Sequence, residues 1–185
     1  MLYLMIIILA VIIGLIRGGE LEKLYHISIE GVYLFAAALL LRGLIWFFTV
    51  IDFSFFLNYS PVFLITSYFL LIAASLQNMK VPGFKYITLG VLMNAFVILV
   101  NGGKMPVLIN QQMIQEINGN TLLGVGQNAI HSLKSNETLF AFLGDVVSLP
   151  KPFPGASIVS VGDIMIFIGL FILIQKMMMK EDALS

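Results

Sequence analysis

Residues 31–51 read GVYLFAAALLLRGLIWFFTVI, an apolar run broken by one charge, Arg42. At about 1.5 Å per residue a helix of this length covers about 30 Å, the thickness of a bilayer's hydrocarbon core. The stretch is therefore expected to cross a membrane as one helix. Four similar segments flank it at 1–16, 61–76, 86–100 and 161–179. The first has no charge, the second has only hydroxyls among its polar groups, the third contains Asn94 and the last contains Asp163. The expectation is an all-α integral membrane protein of about five spans, folded as a single membrane domain over 1–185.

Composition agrees. Of 185 residues, 59% are hydrophobic and 11% charged, where a soluble domain carries about 25% charged residues. Soluble and disordered classes are excluded. Net charge is +0 and no Lys/Arg cluster occurs, so no nucleic-acid partner is expected. The chain has no cysteine, which removes disulfides, thiol catalysis and a lipidated N-terminal Cys. His26 and His131 stand far apart, so neither a metal site nor a cofactor is expected. The opening segment has no basic residue before its apolar stretch and no small-x-small cleavage site after it, so an uncleaved anchor is expected.

Lys and Arg collect on the cytoplasmic side of a membrane protein. With five spans, Arg17, Lys23, Lys80, Lys85, Lys176 and Lys180 share one side, against Lys104, Lys134 and Lys151 on the other. The expected location is the bacterial cytoplasmic membrane, with the N-terminus and the long loop 101–160 outside and the C-terminus inside. Trp46 and Tyr59 then stand near the outer interface, where aromatic rings are favoured.

A connection as long as 101–160 is usually functional or disordered, and its continuing apolar residues argue for structure. Ile109, Met113 and Ile117 recur every four residues, as in an amphipathic surface helix. Asn118-Gly119-Asn120 reads as a turn. Residues 138–147 (TLFAFLGDVV) are too few to span and read as a re-entrant or interfacial piece. Pro150, Pro152 and Pro154 favour a stiff extended segment. Asn136-Glu137-Thr138 matches a glycosylation sequon and reads as coincidence. The loop is expected to cap the outer mouth of the bundle.

An ionisable residue inside a span is a functional-site candidate. Asp163 opens the last span, where helix capping is the competing reading. Asp145 follows Leu143-Gly144 at the end of the interfacial run, where a solvated loop carboxylate is the alternative. A facing pair of carboxyls shares one proton and can activate water, which makes Asp145 and Asp163 the catalytic candidates. Arg42 lies roughly 13 Å below the end of its span, so a carboxylate partner, Asp163 or Asp145, is expected. Asn94 and Asn101 are seven apart and share a helix face. With Arg42 and with Lys104 of Asn101-Gly-Gly-Lys104, they are the binding candidates. An interhelical hydrogen bond for Asn94 and a helix C-cap for Asn101 are the structural alternatives. His131 reads as a surface or packing residue.

The stretches Asn101-Gly-Gly-Lys-Met-Pro-Val107, Leu143-Gly-Asp145 and Ser160-Val-Gly-Asp163 resemble a family of uncharacterised bacterial integral membrane proteins. That resemblance implies a membrane topology and no activity. Separately, Gly144-Asp145-Val-Val147 with Val161-Gly-Asp163-Ile-Met-Ile-Phe-Ile-Gly169 is similar to the C-terminal part of lipoprotein signal peptidases, which are intramembrane aspartyl proteases. The similarity implies Asp145 and Asp163 as a catalytic dyad, Asn101 as the site asparagine and Arg42 as the site arginine. That family has four spans, and its Asn-Thr-Gly-Ala and Gly-Asn-x-x-Asp-Arg motifs do not occur here.

Three functions follow as expectations. One is an aspartyl-dyad hydrolase acting at the outer leaflet on a membrane-anchored peptide or lipid-linked substrate. The second is a non-enzymatic protein that binds or transports a small solute through Arg42, Asn94, Asn101 and Asp163. The third is a subunit of a membrane complex.

Overall fold

Helices that are apolar all round have no solvated face, so they pack on one another or meet lipid. The computed structural model describes residues 2–26, 28–108, 131–135, 137–149 and 158–179. Among these residues are five such helices: α1 Leu2–Ile16, α2 Val32–Val50, α3 Ser54–Gln77, α4 Phe84–Val100 and α5 Val161–Met178. Three are long and apolar enough to cross a membrane, over Val32–Val50, Asn58–Gln77 and Val161–Met178. The third helix starts before the expected residue 61 and runs through Pro61, a residue that apolar helices tolerate when neighbours satisfy the freed carbonyl.

The extensive helix contacts run α2–α3–α4–α5–α1. The α1–α2 pair is not among them, so among the described residues the ring lacks an extensive contact on that side. The tightest seam is α4 against α5, where glycines at heptad spacing face each other. A side chain on Gly83 would strike the Gly169 backbone, and one on Gly90 the Gly162 backbone. Four glycines thus let two antiparallel helices approach backbone to backbone. The buried core follows this seam and continues between α3 and α4, with Ile45, Leu64, Phe84, Val91, Val97 and Ile98 among its members.

The all-α expectation is corrected in the long loop, which holds a small mixed sheet. Strands β1 Met105–Val107, β2 His131–Leu133, β3 Asp145–Ser148 and β4 Ile158–Ser160 lie in the order β2-β1-β3-β4. The pairs β1–β2 and β1–β3 are parallel, and β3–β4 is antiparallel. Backbone groups near an apolar bundle need partners, and these extended pieces find them in each other. Residues 138–147, expected as an interfacial piece, form a turn, a single 3-10 turn at Ala141–Leu143 and then β3. Strand β1 leaves α4 through Gly103, whose φ of 82° suits glycine and whose N–H closes on the Ile98 carbonyl. Strand β4 runs directly into α5, so the sheet covers one end of the ring. The expected surface helix over 109–117, the turn at 118–120, the segment with Pro150, Pro152 and Pro154, Lys151, Lys180 and the sequon's Asn136 lie outside the described residues.

Candidate functional site

Inside the ring is a cavity of about 490 Å³, within the range of about 300–1,000 Å³ usual for ligand sites. Its two ends differ. Away from the sheet the walls are apolar: Ile29, Val32 and Phe35 beside and on α2, Phe84 and Ile87 on α4, Leu170 and Leu173 on α5. Towards the sheet stand Tyr3 of α1, Arg42 of α2, Tyr68 of α3 and Asn94 of α4.

The polar end is built around Asp163. Ser160 is the N-cap of α5: its hydroxyl accepts from the Asp163 N–H at 2.8 Å, and Asp163 Oδ2 accepts from the Ser160 N–H at 3.3 Å. This is a reciprocal capping box. Asp163 Oδ1 accepts from the Tyr3 hydroxyl at 2.7 Å and from Asn94 Nδ2 at 3.0 Å. Asn94 Oδ1 accepts from the Ser160 hydroxyl at 2.8 Å. One carboxylate thus joins α1, α4 and α5, and both of its oxygens are engaged.

Arg42 stands on another wall. Its Nε donates to Ser67 Oγ at 3.3 Å, and its guanidinium carbon lies 4.5 Å from the centre of the Tyr68 ring. No described carboxylate oxygen comes within 4.0 Å. The expected acidic partner is therefore corrected: Asp163 is held by α1 and α4, and Arg42 rests on a hydroxyl and an aromatic face. A cation so placed is costly to leave unpaired, and among the described residues it has no anion beside it.

Asp145 lies in the sheet, opposite Val107 on β1 and Ser160 on β4. Its Oδ2 is 3.6 Å from His131 Nε2. Burial, with the Asp163 carboxylate adding to it, pushes the Asp145 carboxyl up to about 7. Burial holds the His131 imidazole below its usual range, and Asp163 opposes that shift in part. His131 Nδ1 is buried without a hydrogen-bond partner among the described residues. The Asp163 carboxylate therefore acts on Asp145 electrically, while Asp145 faces His131 and Asp163 is bonded to Tyr3, Asn94 and Ser160.

The structure brings Arg42 and Asn94 to one cavity and bonds Asn94 to Asp163. It does not bring Asn101 or Lys104 there. Asn101 is the C-cap of α4, donates to the carbonyls of Val97 and Leu139, and accepts from the Leu139 N–H at 3.0 Å. It fastens the loop to α4. Lys104 is exposed. Sequence reasoning missed Tyr3, Ser67, Tyr68 and Ser160. Only Ser160 carried a signal, the Ser-x-x-Asp spacing of a capping box. A tyrosine or serine in an apolar segment announces nothing until its neighbours on other helices are known.

Comparison with known proteins places this geometry among uncharacterised ones. An uncharacterised protein of Thermotoga maritima is 28% identical over 157 residues, covering 85% of this chain and 81% of that protein. No solved structure matches the chain. These findings give no support to the resemblance to lipoprotein signal peptidases. Residues 26–175 match a family of unknown function, DUF5317, and the chain belongs to that family.

Proposed function

We propose that this chain is a non-enzymatic integral membrane protein whose helix ring binds an anionic ligand, with Arg42 as its counter-charge. The observation that carries the reading is Arg42 itself, a cation facing a ligand-sized cavity with no described carboxylate beside it. Three helices of spanning length support the membrane setting. The distribution of Lys and Arg supports an orientation with the sheet outside. Binding is favoured over hydrolysis by Asp163, whose oxygens are taken up by Tyr3, Asn94 and Ser160.

The test is thermal unfolding of the purified protein in a neutral maltoside detergent, with glycerol phosphate and with didodecanoyl phosphatidic acid as probes. At least one anion raises Tm in the parent and in Arg42→Lys, and fails to do so in Arg42→Gln. Equal shifts in the parent and Arg42→Gln, or no shift with either probe, contradict the reading.

A further inference from the structure

The ligand's chemistry follows from where the cavity opens and from how its polarity is divided. We propose, resting on the anion-binding reading above, that the occupant is a membrane lipid with an anionic head and a linear apolar tail, admitted sideways between α1 and α2. The head meets Arg42 and the tail lies along the apolar end.

Among the described residues, the mouth is the side of the ring without extensive helix contacts. Its rims expose apolar surface: Val32 and Leu39 on α2 are 59% and 66% exposed, and Tyr3 on α1 is 43% exposed. A mouth of that composition within the span of α2 faces hydrocarbon, so it favours an amphiphile over a water-soluble anion. From Val32 to Arg42 the wall descends about 15 Å along α2 at about 1.5 Å per residue. Every lining group over that length is apolar until Arg42, Tyr68, Tyr3 and Asn94 are reached. An ion without a tail leaves this wall unfilled, and a neutral lipid leaves Arg42 unpaired. An anionic lipid satisfies both demands, with a charge-assisted contact at the guanidinium. Tyr3 adds selectivity: its proton is committed to Asp163, so its oxygen is left to accept from a donor on the head group.

The experiment uses the full chain in phosphatidylcholine vesicles containing phosphatidic acid with a diazirine midway along one acyl chain. Photolabelling is expected at inward-facing Ile87, Val91 and Leu170, with competition by unlabelled phosphatidic acid. Arg42→Gln lowers that labelling at least about tenfold, as loss of a charge-assisted contact implies, and Arg42→Lys retains most of it. Equal labelling by a diazirine phosphatidylcholine overturns the inference, as does labelling confined to outward helix faces. If glycerol phosphate stabilises the parent through Arg42 while the cavity stays unlabelled, the anion site stands and the lipid proposal falls. If no Arg42-dependent response occurs with any probe, both fall.

Discussion

Asp145 and Asp163 show how identical side chains take different roles from their surroundings. Asp163 has a hydroxyl, an amide and a backbone N–H as donors, together with the positive end of α5. Asp145 is buried against the sheet and within reach of that charge, and keeps its proton up to about pH 7. The unfolded carboxyl releases its proton near 3.8, so the native state binds more protons between those values. Asp145's contribution to stability is therefore complete at low pH and declines as pH rises through that window. His131 has the opposite sign: its lowered pKa makes its contribution fade as pH falls below 6.5. Replacing Asp145 with Asn removes the first effect. The variant's Tm relative to the parent is expected to rise between about pH 5 and about pH 8, by the equivalent of up to about 3 kcal/mol at roughly 1.4 kcal/mol per unit. A difference that does not vary with pH contradicts the assignment. Asn94→Leu strips a donor from Asp163 and the acceptor from Ser160, and is expected to cost about 1–3 kcal/mol, read by denaturant unfolding in detergent. A neutral result shows that the amide is dispensable. The sequence marked Asp145, Asp163, Arg42 and Asn94 as polar groups in costly places. It was silent on their partners, because Tyr3 and Ser67 lie on other helices and hydrogen bonds between distant segments leave no local pattern.

Among the helices, the α4–α5 seam rests on small residues spaced for close approach. Gly90→Leu or Gly169→Leu forces a side chain into opposing backbone and is expected to destabilise by about 3 kcal/mol, at the upper end of overpacking costs. Gly43, in α2, has open space around the position a methyl would take. Gly43→Ala is expected to be neutral or to stabilise by about 0.5–1 kcal/mol, since it reduces backbone freedom in the unfolded chain. Parallel denaturation of the variants checks both, and a destabilised Gly43→Ala alongside a tolerated Gly90→Leu reverses the account. The helices were legible because their apolar runs are long. The sheet was not, because its strands are three or four residues long and pair with segments well away in the chain, as Met105 does with His131 and Val107 with Asp145. An alternating pattern needs more residues than that to register, and the short apolar run before β3 satisfied helix and strand readings alike.

At the scale of the molecule, the sheet closes one end of the helix ring, the α1–α2 side makes no extensive contact among the described residues, and Arg42, with no described carboxylate beside it, lines the cavity between. The absence of cysteine makes single-cysteine labelling clean. A cysteine at exposed Lys80, between α3 and α4, is expected to react with an impermeant maleimide only after cells are permeabilised. One at exposed Asp52, between α2 and α3, is expected to react in intact cells, as the distribution of positive charge implies. The reverse pattern inverts the proposed orientation. Composition was enough to suggest a membrane setting, but the cavity was invisible to it, since an enclosed volume belongs to no single segment. The most direct measurement is a density map of the full chain in a bilayer containing phosphatidic acid. The account predicts elongated density running from the Arg42 guanidinium along the wall between Val32 and Leu173, entering between α1 and α2. A ring closed between those helices, or Arg42 paired with a carboxylate of the protein's own, would contradict it.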